Sequence, residues 1–588
     1  MVRFAAGVRW APLLTVAHVA LACTGSGASS SAPKGSDFGP GTGTGNSGSG
    51  ASVAGGFTPG TGVVGTGGAG ADPLPPEQEV DSSFEVPVAT GRYVWIANPL
   101  SGRVAYVDAS TLKVQTVEAG NAPTFLAPIP GSADAVVVMN VASHDATVLR
   151  AVGAAGQLQS TMVPGVAPRA NAWAIAPDGR FALAWTDARK ALAAAPRTGT
   201  LEGFQDVTAI DLSAKPPATK TVAVGYRPVS MTFSSDGRRA FAVTQDGVSV
   251  IALPGPTGGV EVIRDVPLTA DPNENADTRD VSVTADGRAV VRREGSPDIR
   301  IVDLATGTTG IVTLSGPVTD LDVTSDGARA IAVVRQTSQV AVLPLATAGQ
   351  DAATVLQTVI AGELVGSVVL TADSKQAVLY SNASDAEHVV VLDLTTAAYR
   401  VVRVHAPVLS IFPTPDGQYA VVLHHQPIAP AADGGVPSGN PDGGLGADGG
   451  SADGGAARPP VTPVPPPIAL AFSVVPLDGS RSGRIQETVA LPQSVAIAPD
   501  SSQAIVTVRN DGTKTFAAYV IGLPTLQVAR LDLASPPIAT GVVAAANRGY
   551  VAQSHPEGRI TFISFATGLP QTLTGFDLGS RVVEGVTP

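Results

Sequence analysis

One cysteine, seven histidines and a recurring Asp-Gly pair are the features of this 588-residue chain whose residue types could carry chemistry. Cys23 has no second thiol to pair with, so the chain holds no internal disulfide. His18 lies in an apolar N-terminal stretch; the others are His144, His388, His405, His555 and the adjacent His424 and His425, scattered among different segments. A metal or haem site needs several convergent donors, usually at local spacings such as HExxH or CxxCH. Neither spacing occurs, and the histidines read as loop or strand-edge residues, with no metal and no cofactor expected. No GxSxG, Walker A or dinucleotide fingerprint stands in a strand-to-helix context. The acidic stretch DPNENADTRD (271–280) fits no calcium loop and reads as a solvated loop.

The Asp-Gly pairs belong to a repeat. Alternating apolar segments flank a tight turn in AWAIAPDGRFALAW (172–185), SMTFSSDGRRAFAV (230–243), VSVTADGRAVVRR (281–293), LDVTSDGARAIAVV (321–334) and SIFPTPDGQYAVVL (410–423). Weaker copies start at Phe125, Val368, Val495 and Val542. Each has the pattern of a hairpin, in which Gly supplies positive φ and Asp a short local hydrogen bond. These aspartates therefore read as turn residues, not as a ring of catalytic carboxylates. Third segments such as RVAYVDAST (103–111) and HVVVLDLTTA (388–397) follow, then a more polar fourth such as TKTVAVG (219–225). Four short strands repeating are the blade of a β-propeller. The expected fold class is all-β, with about ten units in residues 83–588, counting an opening unit at 84–99. Ten exceeds the usual four to eight blades. One ring is favoured over two because no second low-complexity break falls at a unit boundary.

Composition explains the rest of the chain. Gly (65) and Pro (48) exclude a long-helix protein, and a net charge of −12 disfavours nucleic acid as a partner. Residues 23–82 form a Gly/Ser/Pro-rich stretch that cannot bury enough apolar surface to order itself, so a flexible tether is expected. A second tract, 431–466, carries irregular Asp-Gly-Gly units with no closing Glu and reads as a disordered insertion. Subtracting it brings the 84-residue interval between Asp416 and Asp500 back to one repeat, so the tract lies inside the domain.

The units resemble the YVTN family of β-propeller repeats found in bacterial surface and periplasmic proteins. The residues carrying the resemblance are Tyr93-Val94, Asn98, RVAYVD with Asp108, Thr111, Val114, Gly120 and Pro123, followed by the Asp-Gly turns. It covers roughly residues 84–580 and implies a fold, not a function. Related lactonase-type propellers place His, Arg and Glu at the mouth of the central channel. The segments entering each innermost strand surround that mouth, which makes Arg169, Asn171, Arg227, Arg279, Asp280, Asp320, Glu363 and Gln493 the candidate binding residues. The competing reading of these charges is local ion pairs; no catalytic residue is assigned.

Residues 1–22 have a basic start (Arg3, Arg9) and an apolar run from Trp10 to Ala22, the pattern of a secretory signal. Val19-Ala20-Leu21-Ala22-Cys23 resembles the lipobox of bacterial lipoproteins, with Ala20 where Leu is usual. The resemblance implies cleavage before Cys23 and lipidation of its thiol, and acyl chains would anchor the mature protein. Thr24 after the cysteine resembles outer-membrane sorting. The expected protein is a lipid-anchored propeller of the bacterial cell envelope, at the outer membrane, acting as a binding or interaction scaffold for a protein, glycan or small ligand. The alternatives are a lactonase-like or other hydrolase working at the channel mouth, and a structural cell-surface component.

Overall fold

A computed structural model describes residues 87–575, apart from 154–155, 189–203, 255–257, 272–273, 347–355 and 428–467. The signal peptide, Cys23, the tether and the Asp-Gly-Gly insertion therefore lie outside the described residues. Forty strands form ten four-stranded antiparallel sheets, each made from four consecutive strands. Blades 1 to 10 span Val88–Glu118, Pro123–Pro164, Ala172–Ala223, Ser230–Val266, Arg279–Thr313, Asp320–Val359, Ser367–Arg403, Val408–Glu487, Leu491–Asp532 and Pro537–Thr574.

The middle strands are largely apolar, with any charged residues near their ends, because both of their faces pack on neighbouring blades. AVVVMN (Ala135–Asn140) and FALAW (Phe181–Trp185) are buried at every position. The outer strands meet solvent and alternate instead, as in ATKTVA (Ala218–Ala223) and QVARLD (Gln527–Asp532).

Ten apolar clusters fill the joints between successive blades, and one of them closes the ring. At the joint of blades 1 and 2, Trp95 stacks on Tyr106 with centroids 5.2 Å apart and packs with Leu126 and Val138. At the closing joint, Val94, Ile96 and Val107 of blade 1 meet Val543, Tyr550, Ile560 and Phe562 of blade 10. Tyr550 there donates its hydroxyl to the Pro87 carbonyl at 3.1 Å, and burial pushes that phenol well above its ordinary pKa. One ring of ten blades is thus closed by packing, and the interval from Asp416 to Asp500 is one blade: His425 pairs with Ile468 across the 428–467 segment.

Alternating strand direction gives the ring two unlike faces. Turns from first to second and third to fourth strands lie on one, here the turn face. Loops from second to third strands and the crossings between blades lie on the other, the mouth face.

The turn face shows why Asp and Gly recur. Thr324 donates its hydroxyl to Asp326 Oδ1 at 2.6 Å and accepts from the Arg329 amide at 3.0 Å, while the same Oδ1 accepts from the Ala328 amide at 2.9 Å. The Thr324 hydroxyl and the Ala328 amide hold the Asp326 carboxyl below its ordinary pKa. Ser234, Thr371 and Thr414 make the same arrangement, and Thr284 bonds Asp286 and the Arg288 amide in a turn one residue shorter. Only Gly takes positive φ in the Asp-Gly pair; the aspartates stay right-handed and act through their side chains. Gly179 (φ +70°) also sits where a β-carbon would lie 2.1 Å from the Pro130 carbonyl of the preceding blade. In blades 7 and 9 the equivalent residues are Ser374 and Ser501, at φ 53° and 59°. Their hydroxyls accept from the Ser325 amide (2.9 Å) and the Asp416 amide (3.0 Å) of the preceding blades. One turn position thus serves as either a spacer or a staple between blades.

Candidate functional site

All eight residues expected at the mouth belong to crossings or inner strands and lie toward the mouth face, but several serve as joints. Asp320, 5% exposed, opens the inner strand of blade 6 and accepts from the Leu321 amide at 2.8 Å and from the Val368 amide of blade 7 at 2.7 Å. A carboxylate accepting two amide bonds is held fixed between the two blades. Its neighbour Thr319 donates to the Gly366 carbonyl at 2.7 Å, a second link between blades 6 and 7. Arg279 is buried and donates Nη2 to the Gln245 carbonyl of blade 4 at 2.6 Å. Asp280 pairs with Arg292, whose Nη1 reaches the Thr319 carbonyl of blade 6 at 2.6 Å. Asn171 exchanges two bonds with the Asp187 backbone, accepting its amide at 2.7 Å and donating to its carbonyl at 3.1 Å.

Of the remaining four, Glu363 belongs to an ionic hub described below. Arg169 is exposed at φ 67° in the crossing to blade 3. Arg227, at φ 51°, lays its guanidinium 5.1 Å from the Tyr226 ring centre. Gln493 is half-buried in Leu491–Ile497, beside the register shift between Pro492 and Ser494.

Two ionic hubs emerge on this face. Glu363, in the crossing to blade 7, is gripped at both oxygens by Arg403, with Nη1 3.1 Å from Oε2. The same Oε2 lies 3.4 Å from His388 Nδ1, while His388 Nε2 is 3.2 Å from the Leu364 carbonyl. Burial lowers the affinity of this imidazole for a proton, and Arg403 adds to the effect against the opposing pull of Glu363.

The second hub corrects the expectation of a solvated loop at 271–280. Glu274 has a side chain only 2% exposed and meets Arg300 at 3.0 Å, Arg293 at 3.4 Å and Arg279 at 3.7 Å. Burial would raise its pKa, but hydrogen bonds from Arg300 and Thr269 and the charges of Arg300 and Arg279 hold it below the ordinary value. Sequence spacing missed Glu274, His388 and Arg403 because they meet across strand ends. Superposing the units by strand position would have placed acids in crossings beside cations at strand termini.

The tandem histidines take the strand-edge placement. His424 and His425 end the strand Tyr419–His425 and are both fully buried. His424 donates Nδ1–H to the Pro407 carbonyl at 3.1 Å and accepts from the Ser473 hydroxyl at Nε2, 2.7 Å away. Burial drives its pKa down to about 4. The pair resembles a nucleophile and base in distance alone: Ser473 is 2% exposed and His424 0%, so no substrate reaches them.

Among the described residues no group of three or more His, Cys, Asp or Glu side chains is arranged to hold a metal. A cleft of about 370 Å³ lies between blades 8 and 9, lined by Gln486, Glu487, Thr488, Tyr519, Val528 and Arg530 among others. Most of its polar groups are satisfied internally: Tyr519 accepts from the Val489 amide at 3.1 Å and Thr488 donates to the Ala490 carbonyl at 2.8 Å.

No protein-family description matches the chain, and no curated protein is similar to it in sequence. Among solved structures it is similar to dihydro-heme d1 dehydrogenase NirN in complex with DHE, at 10% identity over 77% of this chain and 76% of that one, with a TM-score of 0.40. It is also similar to a eukaryotic initiation factor, at 10% identity over 76% of this chain and 96% of that one, with a TM-score of 0.48. Neither likeness bears on what this chain binds or does.

Proposed function

We propose that this protein is a lipid-anchored, extracytoplasmic β-propeller of YVTN-repeat type, serving as a binding scaffold at the outer membrane of a bacterial envelope. Its partner would be a protein, glycan or small ligand. The observation that carries the scaffold reading is the use of the mouth residues. Asn171, Arg279, Asp280 and Asp320 tie loops and neighbouring blades together, and Glu363 is held by Arg403. Groups committed to such bonds make a rigid frame and are poorly placed to exchange protons with a substrate. Among the described residues, acid, imidazole and guanidinium meet at Glu363, His388 and Arg403. There the carboxylate is held at both oxygens, and Nε2 of the imidazole faces a carbonyl, so neither group is free to act as a general base. Anchoring rests on the signal-like residues 1–22 and on Cys23, the chain's one thiol.

Two measurements test the reading. Cys23→Ser should leave the precursor uncut or release the protein from the membrane fraction; unchanged attachment sinks the anchor. The purified ring should turn over no member of a lactone and ester panel. Turnover abolished by Glu363→Gln would replace the scaffold with a hydrolase.

A further inference from the structure

The first turn of blade 10 carries neither Asp-Gly nor Asp-Ser, and a hollow lies between it and the turn of blade 9. In blade 10 the chain runs through the short 3-10 segment Ala544–Ala546 to Asn547, left-handed at φ 47°. The hollow has a volume of about 250 Å³ and is lined by Ala498, Pro499, Asp500, Val542, Ala544, Asn547 and Phe565. The Phe565 ring is seated over Gly549, where a β-carbon would stand 3.0 Å from Cζ. The hollow therefore has apolar walls and a single carboxylate.

That carboxylate, like Asp416, has no Arg or Lys within three residues. The turns at Asp178, Asp236, Asp286, Asp326 and Asp373 each carry Arg or Lys within three residues: Arg180, Arg238, Arg288, Arg329 and Lys375. Asp286 and Asp373 form ion pairs with theirs. Asp500 is followed by Ser-Ser-Gln and makes no ion pair among the described residues. Arg548, next to Asn547, does not come within ion-pair distance of it. Ser502 supplies its amide (3.0 Å) and hydroxyl (2.7 Å) to Oδ1, and Asp500 itself is exposed.

We propose that this hollow receives one arginine or lysine side chain of a protein partner, its methylene stem against Val542, Ala544 and Phe565 and its cationic head on Asp500. The proposal rests on the scaffold reading and gives the partner a chemistry. Ligand pockets for whole small molecules run from about 300 Å³ upward, so this smaller volume suits a single side chain. Arg and Lys have an apolar stem and a charged tip, which matches apolar walls with a carboxylate at the lip. The net charge of −12 favours approach of a basic surface.

The test uses the ring with labelled Ala and Val methyl groups, titrated with N-acetylarginine amide and, separately, with its uncharged isostere N-acetylcitrulline amide. Shifts at Ala498, Val542 and Ala544 are expected with the arginine compound, and an affinity lower by about three- to tenfold with the citrulline compound or in Asp500→Asn. Ala544→Leu, which fills the hollow, should abolish the shifts. Equal binding of the two compounds, or no shift at these methyls, overturns the assignment. Either result leaves the scaffold reading to its own panel and fractionation tests.

Discussion

Acidification should loosen the joint between blades 7 and 8 through His424, and the size of the effect follows from its burial. The ring is neutral in the folded protein, with a pKa lowered from 6.5 to about 4. The unfolded chain takes up a proton near the ordinary value. Between the two values the unfolded state binds more protons, so stability is full above about pH 6.5 and is lost as the pH falls toward 4. At 1.36 kcal/mol per pH unit, the loss on going from pH 7.5 to 4.5 is about 2.5 kcal/mol. The reference is His424→Gln, which keeps an acceptor for Ser473 and cannot titrate. At pH 7.5 the variant should be the weaker by about 1 kcal/mol, since the Pro407 carbonyl loses its donor. By pH 4.5 the order should reverse. Urea midpoints of both proteins at the two values give the difference, in which every other titrating group cancels. Parallel pH dependences would refute the argument, as would an imidazole signal for His424 that titrates near pH 6.5 in the folded protein.

Two other perturbations probe the joints. Ser374→Ala removes the acceptor of the Ser325 amide and should cost about 1 kcal/mol, whereas Ser374→Gly should cost less because Gly relaxes the positive φ; a Ser374→Ala urea midpoint equal to that of the wild type would dismiss the staple. Asp320→Ala leaves the buried Val368 amide without a partner, at a cost of about 1–3 kcal/mol. Hydrogen exchange at that amide should lose its protection selectively, and unchanged exchange would deny the link between blades 6 and 7.

The blades were readable from the chain because the turn residues recur at blade-length intervals and the middle strands are largely apolar. AVVVMN and FALAW need no partner information to be recognised as strands buried on both faces. That 431–466 interrupts a single blade also followed from arithmetic, since removing it restored one repeat between Asp416 and Asp500. The mouth was legible only as a location. That Asp320 would hold the Val368 amide of the next blade depends on a contact 48 residues away, for which its own neighbourhood carries no sign. The stretch DPNENADTRD looked solvated because its composition is polar. Glu274 is nonetheless enclosed, because arginines from three different strand ends converge on it. His424 and His425 were readable as loop or strand-edge residues, but not their full burial at the end of a strand.

The closing joint of the ring is made like the other nine. Blades 1 and 10 each consist of four consecutive strands, and neither borrows a strand from the opposite end of the chain. Nothing in the hydrogen-bonded sheets therefore distinguishes the place where the polypeptide begins. A chain opened at another crossing and joined through its native ends would leave all ten sheets whole and lose only a connection. Duplication or loss of one unit would likewise add or delete a complete blade, with both flanking joints still of the same kind. Ring size in such a protein is set by how many units the gene encodes, and ten blades need no special closing device.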